Sequence, residues 1–189
     1  MKDNRGFSLL EVLIIVIVIS VVAGFGLSKT EAIFGYNAKE AYKKVVTTLS
    51  NGKVQTLSKS QLVSNNTPVK TGSSVTTKVK DDGVYIEIYV KGSNIYSKTY
   101  IKGIAENPDG VKIGEKGVVI SYKLDDGTTG TLTEEEGHGL MFSYDRSTGA
   151  FLPYSGNKYI TELTVSGGKR SYVIKLMPKT GKVVKVGKL

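Results

Sequence analysis

The sequence contains no cysteine and a single histidine, His138, among its 189 residues. Without cysteine the chain has neither a disulfide framework nor a thiol nucleophile, so its fold must be stabilised by packing of its secondary structure. A serine-histidine-aspartate triad would depend on His138 alone, and no Gly-x-Ser-x-Gly elbow accompanies it. We therefore predict a protein without catalytic residues, and we expect no cofactor and no metal site.

Proline is scarce as well, and none precedes Pro68. The first part of the chain thus lacks the residue that most strongly kinks helices. Between positions 7 and 27 the only ionisable residue is Glu11. About 21 helical residues span roughly 30 Å, enough to cross the hydrocarbon core of a membrane once. This pattern predicts a transmembrane helix over residues 7–28.

Glu11 is the unusual residue of this segment. An ionised carboxylate at membrane depth costs about 2.5–3.5 kcal/mol on insertion scales, so intramembrane acids usually have a function. An ordinary secretory signal would explain the basic start and the later small residues, but not a carboxylate near the start of the apolar region. A plain single-pass anchor could contain Glu11 if its carboxylate reached toward the interface.

A third interpretation is favoured. The pair Gly6-Phe7 follows a short basic leader, Glu11 is the fifth residue counted from Phe7, and aliphatic residues follow it. This arrangement resembles the class III signal of type IV prepilins and pseudopilins. The resemblance implies that a membrane prepilin peptidase cleaves between Gly6 and Phe7 and methylates the new amino group of Phe7. It also implies that Glu11 pairs with the Phe7 amine of a neighbouring pilin or pseudopilin in a helical filament, built on an inner-membrane assembly platform.

The leader also predicts the topology. Lys2 and Arg5 outnumber Asp3, which keeps the N-terminus on the cytoplasmic face by the positive-inside bias. We therefore expect a single-pass protein of the cytoplasmic membrane with its C-terminal domain outside. The family resemblance implies later assembly into a cell-surface or periplasm-spanning filament.

A second helical pattern follows the apolar segment. Apolar residues recur with helical spacing from Phe34 to Leu49, and charged residues from Lys39 to Lys44 occupy the other face. We predict an amphipathic stalk helix over residues 29–62, continuous with the transmembrane helix, whose apolar face lies on a sheet. Gly52 is expected to bend or end it.

The rest of the chain has a β pattern, with short runs rich in Val, Ile and Tyr between turn residues. Turns are predicted at Gly92-Ser93, at Gly167-Gly168 and around Gly181, where positive φ favours glycine. The predicted fold is α+β: a long N-terminal α-helix packed on an antiparallel β-sheet or small β-sandwich. The predicted division is leader 1–6, transmembrane helix 7–28, stalk helix 29–62 and extracytoplasmic β domain 63–189. Predicted strands cover residues 75–80, 84–91, 95–102, 118–124, 131–133, 140–144, 160–165, 170–177 and 182–186.

The acidic groups in the β domain are interpreted as turn residues in preference to metal ligands. Asp81-Asp82-Gly83 and Asp125-Asp126-Gly127 have the Asp-Gly pattern of hairpins and do not match an EF-hand. The run of acidic residues 134–136 near His138 is typical of a solvated hairpin tip. On the stalk helix, Glu40 is expected to pair with Lys43 or Lys44.

The formal net charge of +9 raises the question of nucleic acid. Basic residues concentrate near the C-terminus, from Lys158 to Lys188, and Tyr159 and Tyr172 are interleaved with them as stacking candidates. Lys169, Arg170 and Lys182 are the candidate DNA contacts. The alternative is a solvated basic face or a surface attracted to anionic envelope polymers.

The C-terminal third resembles the closing strands of H-type pseudopilins and related minor pilins, through Gly167-Gly168-Lys169-Arg170 and Thr180-Gly181-Lys182-Val183. The chain lacks the C-terminal disulfide loop of many Gram-negative major pilins. The predicted function is a structural subunit, a minor pilin or pseudopilin, of a type IV pilus, a type II secretion pseudopilus or a competence pilus. The alternative is a DNA-binding or surface-binding tip module of such a filament.

Overall fold

The N-terminal part of the molecule is one long helix. The computed structural model describes residues 9–58, 84–101, 104–134 and 139–188. Helix α1 runs over Leu9–Ser58, 50 residues or roughly 75 Å. The prediction of a single continuous helix is confirmed over this range, and residues 59–62 of the predicted stalk helix lie outside the described residues. Among the described residues, no helix combines the length and the hydropathy needed to cross a membrane.

The described part of the β domain forms two antiparallel five-stranded sheets. In the first sheet the order is β3-β2-β1-β7, and β4 pairs with another part of β2. Its strands are β1 Val84–Lys91, β2 Asn94–Ile101, β3 Ile104–Ala105, β4 Val111–Gly114 and β7 Leu140–Ser143. In the second sheet the order is β10-β9-β8-β5-β6. Its strands are β5 Val119–Leu124, β6 Thr129–Thr131, β8 Ile160–Gly167, β9 Arg170–Met177 and β10 Lys182–Lys188.

Most predicted strands are confirmed. β1 and β9 have the predicted bounds, and six others overlap their predicted ranges with ends that differ by up to two residues. β3 and β4 were not predicted, because two and four residues are too short for a recognisable alternation and their pairing partner β2 decides their conformation. The predicted strand over residues 75–80 and the turn at residues 81–83 lie outside the described residues.

The predicted turns are confirmed where the backbone requires positive φ. Gly92 and Ser93 join β1 to β2 with φ of 57° and 62°, the left-handed pair that a two-residue hairpin with the right twist needs. Gly181 ends the 3₁₀ turn Pro178–Thr180 in the left-handed conformation, just before β10.

Helix α1 and both sheets share one hydrophobic core. The predicted apolar face of the stalk helix is buried on the sheets, while Lys39 and Lys43 on the other face are exposed. The hydroxyl of Tyr144 donates to the Leu49 carbonyl at 2.7 Å and connects the end of β7 to the helix. The buried helix residues are Ala38, Ala41, Tyr42, Val45, Val46 and Leu49.

Glycine allows the helix to approach the sheets closely. Gly52 was expected to bend or end the helix, but α1 continues through it to Ser58, so an end at Gly52 is wrong. A Cβ at Gly52 would lie 2.0 Å from Cδ1 of Ile86 on β1. The position is therefore glycine because the helix backbone contacts the Ile86 side chain directly. At the other end of the stalk, a Cβ at Gly167 would lie 2.6 Å from the Phe34 carbonyl oxygen, so the β8–β9 hairpin also packs directly on α1.

Candidate functional site

The N-terminal half of α1 exposes an unusual amount of apolar surface. The apolar side chains described between Leu10 and Val21 are 47–68% exposed and belong to no part of the core. Ser20, the one hydroxyl residue among them, donates to the Val16 carbonyl within the helix at 2.7 Å. A helix that is apolar on every side is stable when a membrane or other helices cover it.

Glu11 lies in the first turn of this helix and is exposed. A carboxylate at this position interacts favourably with the positive end of the helix dipole. Gly6 and Phe7 lie outside the described residues, so the predicted cleavage site, the methylated amine and the charge pair between Phe7 and Glu11 stay predictions. Exposed apolar side chains lie on both sides of this acid in the chain, at Leu10 and at Val12.

The three predicted DNA contacts do not form one cluster. Lys169 and Arg170 lie at the β8–β9 hairpin, whereas Lys182 pairs with Met177 at the opposite end of β9. Arg170 and Met177 are separated by about 23 Å along an extended strand. The sequence suggested a cluster because these residues are close along the chain, but the β9–β10 hairpin places them at opposite ends of two paired strands.

Arg170 also has a packing role. A Cβ at Gly35 would lie 2.6 Å from Cδ of Arg170, so the aliphatic stem of this arginine crosses α1 where the helix has no side chain. Its stem therefore covers the helix while the residue as a whole is exposed. Tyr172, a predicted stacking residue, is 7% exposed and packs on Tyr42 with ring centroids 5.4 Å apart, so it has no free ring face for a base.

The second sheet instead presents lysines on its outer face. Glu162 of β8 pairs with Lys123 of β5 on one side and with Lys175 of β9 on the other, so the three side chains share one face. Lys182 shares this face, because its partner Met177 lies two residues from Lys175 on the same strand. We call these residues the lysine face, and only the strand register brings them together.

The outer face of the first sheet carries tyrosines that the sequence interpretation did not select. Tyr89 pairs with Tyr96 across β1 and β2, with ring centroids 5.8 Å apart and planes 24° apart. The Lys98 ammonium lies 5.1 Å from the Tyr89 ring centroid, and Tyr100 donates a 2.8 Å hydrogen bond to Glu87. We call these five residues the tyrosine face. The sequence contains a pattern that could have predicted this face. Tyrosines are four residues apart at positions 85 and 89 and again at positions 96 and 100, a spacing that places both members of each pair on one side of a strand.

Burial and a neighbouring carboxylate raise the pKa of both hydroxyl groups that are anchored on this face. For Tyr100 the causes are burial first and then the hydrogen bond to Glu87. For Tyr89 the causes are burial first and then the charge of Glu87, and its hydroxyl donates to the Asp109 carbonyl at 3.1 Å. Both rings therefore carry neutral hydroxyl groups at physiological pH.

The acidic groups that are described make structural contacts. Asp126 lies 2.7 Å from Lys158 and accepts a 2.9 Å hydrogen bond from the Thr128 amide, and these partners, Lys158 first, lower its pKa to about 2. The turn predicted at Asp125-Asp126-Gly127 is thus confirmed, as is the pairing of Glu40 with Lys43, at 2.8 Å.

The acidic loop before β7 is described only in part. Glu134 accepts hydrogen bonds from the amides of Gly92 and Ser93 and supports the β1–β2 turn. Residues 135–138, including His138, lie outside the described residues. In the part of the chain that the structure describes, no three His, Asp or Glu side chains are grouped as metal ligands would be.

Comparison with known proteins identifies a sequence motif at the N-terminus of the chain. A family model described as the prokaryotic N-terminal methylation motif matches residues 1–27. No curated protein and no solved structure matches the chain. Residues 1–27 carry the class III signal of type IV prepilins and pseudopilins, and this motif supports a pilin-like structural subunit rather than an enzyme.

Proposed function

We propose that the protein is a structural subunit of a filament of the type IV pilus kind. Prepilin peptidase cleaves it between Gly6 and Phe7 and methylates the amine of Phe7. The mature chain then assembles through the N-terminal half of α1. The observation that carries this proposal is the methylation motif over residues 1–27, followed by a helix whose apolar side chains are exposed.

Before assembly, residues 7–28 cross the cytoplasmic membrane once. Lys2 and Arg5 hold the leader inside, and the β domain lies outside. The exposed apolar residues from Leu10 to Val21 support this topology, because lipid is one of the few surroundings that covers a helix on all sides. In the filament, the same surface packs against the helices of neighbouring subunits.

Glu11 selects the position of each new subunit. Phe7 and Glu11 are four positions apart in the sequence, which corresponds to about one turn of an ideal helix. The charge of Glu11 is satisfied most strongly by the Phe7 amine of a neighbour, since attraction between opposite charges is large at low dielectric. Removing one partner leaves the other uncompensated, so the pair sets the axial step between subunits.

The first test concerns processing. The exported chain is isolated and analysed by N-terminal sequencing and intact mass. We expect a mature chain that starts at Phe7 and carries one added methyl group. An intact leader, or a cut after the apolar segment, would contradict the proposal.

The second test concerns assembly. We expect Glu11→Ala to leave membrane insertion and processing intact but to reduce incorporation into sheared filaments. Glu40→Ala is the matched control, because Glu40 is a carboxylate of the same helix that pairs with Lys43 on the surface of the stalk. Normal incorporation of Glu11→Ala would refute the role of Glu11.

Within this class we propose a minor subunit, either a minor pilin or a pseudopilin. The H-type pattern of the C-terminal strands and the absence of a disulfide loop support it. The parent system is a pilus, a type II secretion pseudopilus or a competence pilus. Mass-spectrometric counting of subunits in purified filaments tests the copy number, and a count similar to that of the most abundant subunit would exclude a minor role.

A second candidate function is binding of a polyanion such as DNA at a filament tip. The lysine face favours this candidate, because the four residues that define it carry three positive charges, at Lys123, Lys175 and Lys182, and one negative charge, at Glu162. Lys169 and Arg170 at the other end of β9 would contact DNA only if it extended along the strand. The phosphate backbone supplies most of such affinity and makes it salt-dependent.

A mobility-shift assay of the full chain in detergent tests this candidate. We expect a shift at low salt that disappears as salt increases and that weakens in the double variant Lys175→Gln, Lys182→Gln. Lys39→Gln on the exposed face of α1 is the control for loss of one charge elsewhere. Absence of a shift at low salt would end this candidate without affecting the assembly proposal.

A further inference from the structure

The end of the β domain that lies nearest the N-terminal half of α1 carries basic residues beside the helix. We propose that this end of the domain rests on anionic phospholipid headgroups while the subunit is anchored in the membrane. Lys116, Lys169 and Arg170 contact the lipid phosphates, and we call these three residues the basic collar. The inference rests on the proposed membrane topology and adds a second contact with the membrane to it.

Two loops place the basic collar beside the same turn of α1. A Cβ at Gly117 would lie 2.7 Å from the Phe34 ring, and Lys116 immediately precedes that glycine. A Cβ at Gly35 would lie 2.6 Å from Cδ of Arg170. Because Phe34 and Gly35 are consecutive, the loop before β5 and the β8–β9 hairpin lie at one level along the helix.

The β8–β9 hairpin places two basic residues at the end of the second sheet. Gly167 pairs with Arg170 across the strands, so Lys169 is one of the two residues that form the turn. A Cβ at Gly167 would lie 2.6 Å from the Phe34 carbonyl oxygen, which holds this turn against α1. All three residues of the basic collar are exposed to solvent.

The length of α1 sets the distance between the basic collar and the bilayer. The proposed span ends at residue 28, and Phe34 is six residues farther along the same helix, or about 9 Å. The headgroup region on each side of a bilayer is roughly 5–8 Å thick. The Debye length is about 8 Å at physiological ionic strength. The basic collar therefore lies close enough to the lipid phosphates for a direct electrostatic attraction.

The opposite side of α1 at this level has residues that suit the membrane interface. Ile33 and Tyr36 are 55% and 61% exposed, so the described part of the β domain does not cover them. Tyrosine is enriched at the boundary between membrane and water, where its ring lies beside apolar groups and its hydroxyl stays hydrated. Contact of this end of the molecule with headgroups covers both side chains.

The acidic residues described near this level do not neutralise the basic collar. Glu115 pairs with Lys112, and Glu134 accepts hydrogen bonds from the amides of the β1–β2 turn. The acidic residues that follow Glu134 lie outside the described residues. Closer to the span, Lys29 and Glu31 contribute opposite charges to the sequence. Each basic residue near an anionic membrane surface increases the ratio of bound to unbound domain by about fivefold.

The position of the basic collar selects lipid in preference to a nucleic acid. In the anchored subunit the bilayer occupies the space beyond the collar and leaves a gap of about 9 Å. That gap does not admit a DNA duplex, whose major groove alone is about 12 Å wide. The lysine face lies on the outer side of the second sheet, so a polyanion would reach it without entering this gap.

Fluorescence quenching in vesicles tests the proposal, and the absence of cysteine allows one position to be labelled at a time. The full chain carries a fluorophore on Ser166→Cys, beside the hairpin, or on Thr180→Cys, beyond the other end of β9. Vesicles contain phosphatidylcholine alone or with about one third phosphatidylglycerol, together with a spin label on the headgroup. We expect stronger quenching at Ser166→Cys in the anionic vesicles, which high salt removes. Quenching at Thr180→Cys should be weak in both lipids.

Substitutions separate the basic collar from charge elsewhere in the molecule. The collar variant replaces three basic residues, in Lys116→Gln, Lys169→Gln and Arg170→Gln. It should lose the extra quenching, since each removed charge weakens binding to the anionic surface by about fivefold. The matched control removes the same charge from the lysine face, in Lys123→Gln, Lys175→Gln and Lys182→Gln, and should keep it. The comparison of the two lipids uses an unsubstituted collar, so it remains decisive if the collar variant does not fold.

Three results would overturn the proposal: equal quenching at Ser166→Cys in both lipids, extra quenching that persists in the collar variant, or extra quenching that the lysine-face control also loses. Displacement of the domain from anionic vesicles by an oligonucleotide at equal ionic strength would assign the collar to nucleic acid. Flotation with neutral vesicles at high salt separates this inference from the proposed topology. A chain that does not float contradicts the membrane span, whereas a chain that floats without lipid-dependent quenching contradicts the basic collar alone.

Discussion

Replacement of Gly52 by alanine should change the free energy of unfolding in two opposite ways, through helix propensity and through packing against the core. In an exposed helix interior, glycine to alanine stabilises by about 0.8–1 kcal/mol because the unfolded chain loses less entropy on folding. At this position the new Cβ would lie 2.0 Å from Cδ1 and 2.9 Å from Cγ1 of Ile86, which is 1% exposed. Inserting a methyl group into a packed core costs about 1–3 kcal/mol.

The overpacking effect should win, because Ile86 is enclosed by the core and the aromatic ring of Tyr144 lies 3.7 Å from the same Cβ position. We expect Gly52→Ala to destabilise the protein by about 1 kcal/mol net. The second substitution Ile86→Val removes Cδ1 and by itself costs about 0.5–1.5 kcal/mol. The double variant should then be more stable than the sum of the two single effects predicts, with a coupling free energy of about 1 kcal/mol.

Urea unfolding of the full chain in mild detergent, followed by circular dichroism, measures these differences. Gly35→Ala is the matched control, because the nearest atom to its Cβ belongs to the flexible Arg170 side chain, which can move. We expect Gly35→Ala to be neutral or stabilising. If Gly52→Ala is as stabilising as an exposed glycine to alanine substitution, the close contact between α1 and β1 is wrong.

Two further predictions concern stability. Tyr144→Phe removes the 2.7 Å hydrogen bond to the Leu49 carbonyl and should lower the free energy of unfolding by about 1 kcal/mol with little change in m-value, which urea unfolding checks. The Asp126 carboxyl has its pKa lowered from 3.8 to about 2, first by Lys158, so its stabilisation is complete above pH 4 to 5 and is lost as the pH falls toward 2. Asp126→Asn should therefore flatten the acid side of a plot of urea midpoint against pH between about 4 and 2, and an unchanged profile would contradict the pairing with Lys158.

The sequence predicted the secondary structure well because its signals are local. A proline-free run of apolar and then amphipathic residues predicts α1, and alternation between turn residues predicts strands such as β1 and β9. Gly92-Ser93 predicts a hairpin because glycine adopts the positive φ of the first turn position without steric cost. The error at Gly52 has the opposite origin. Helix propensity is local, but the reason for that glycine is Ile86, 34 residues farther along the chain.

The candidate functional surfaces also fall into two groups, those that are contiguous along the chain and those that strand pairing assembles. The leader, Glu11 and the apolar segment after it are contiguous along the chain, so their chemistry was readable from the sequence alone, and the methylation motif agrees with it. The separation of Arg170 from Lys182, and the assembly of the lysine and tyrosine faces, depended on strand register, because one residue of register decides which side of a sheet a side chain occupies. Neighbours along a chain are determined by covalent order, whereas neighbours across strands exist only after the backbone has paired.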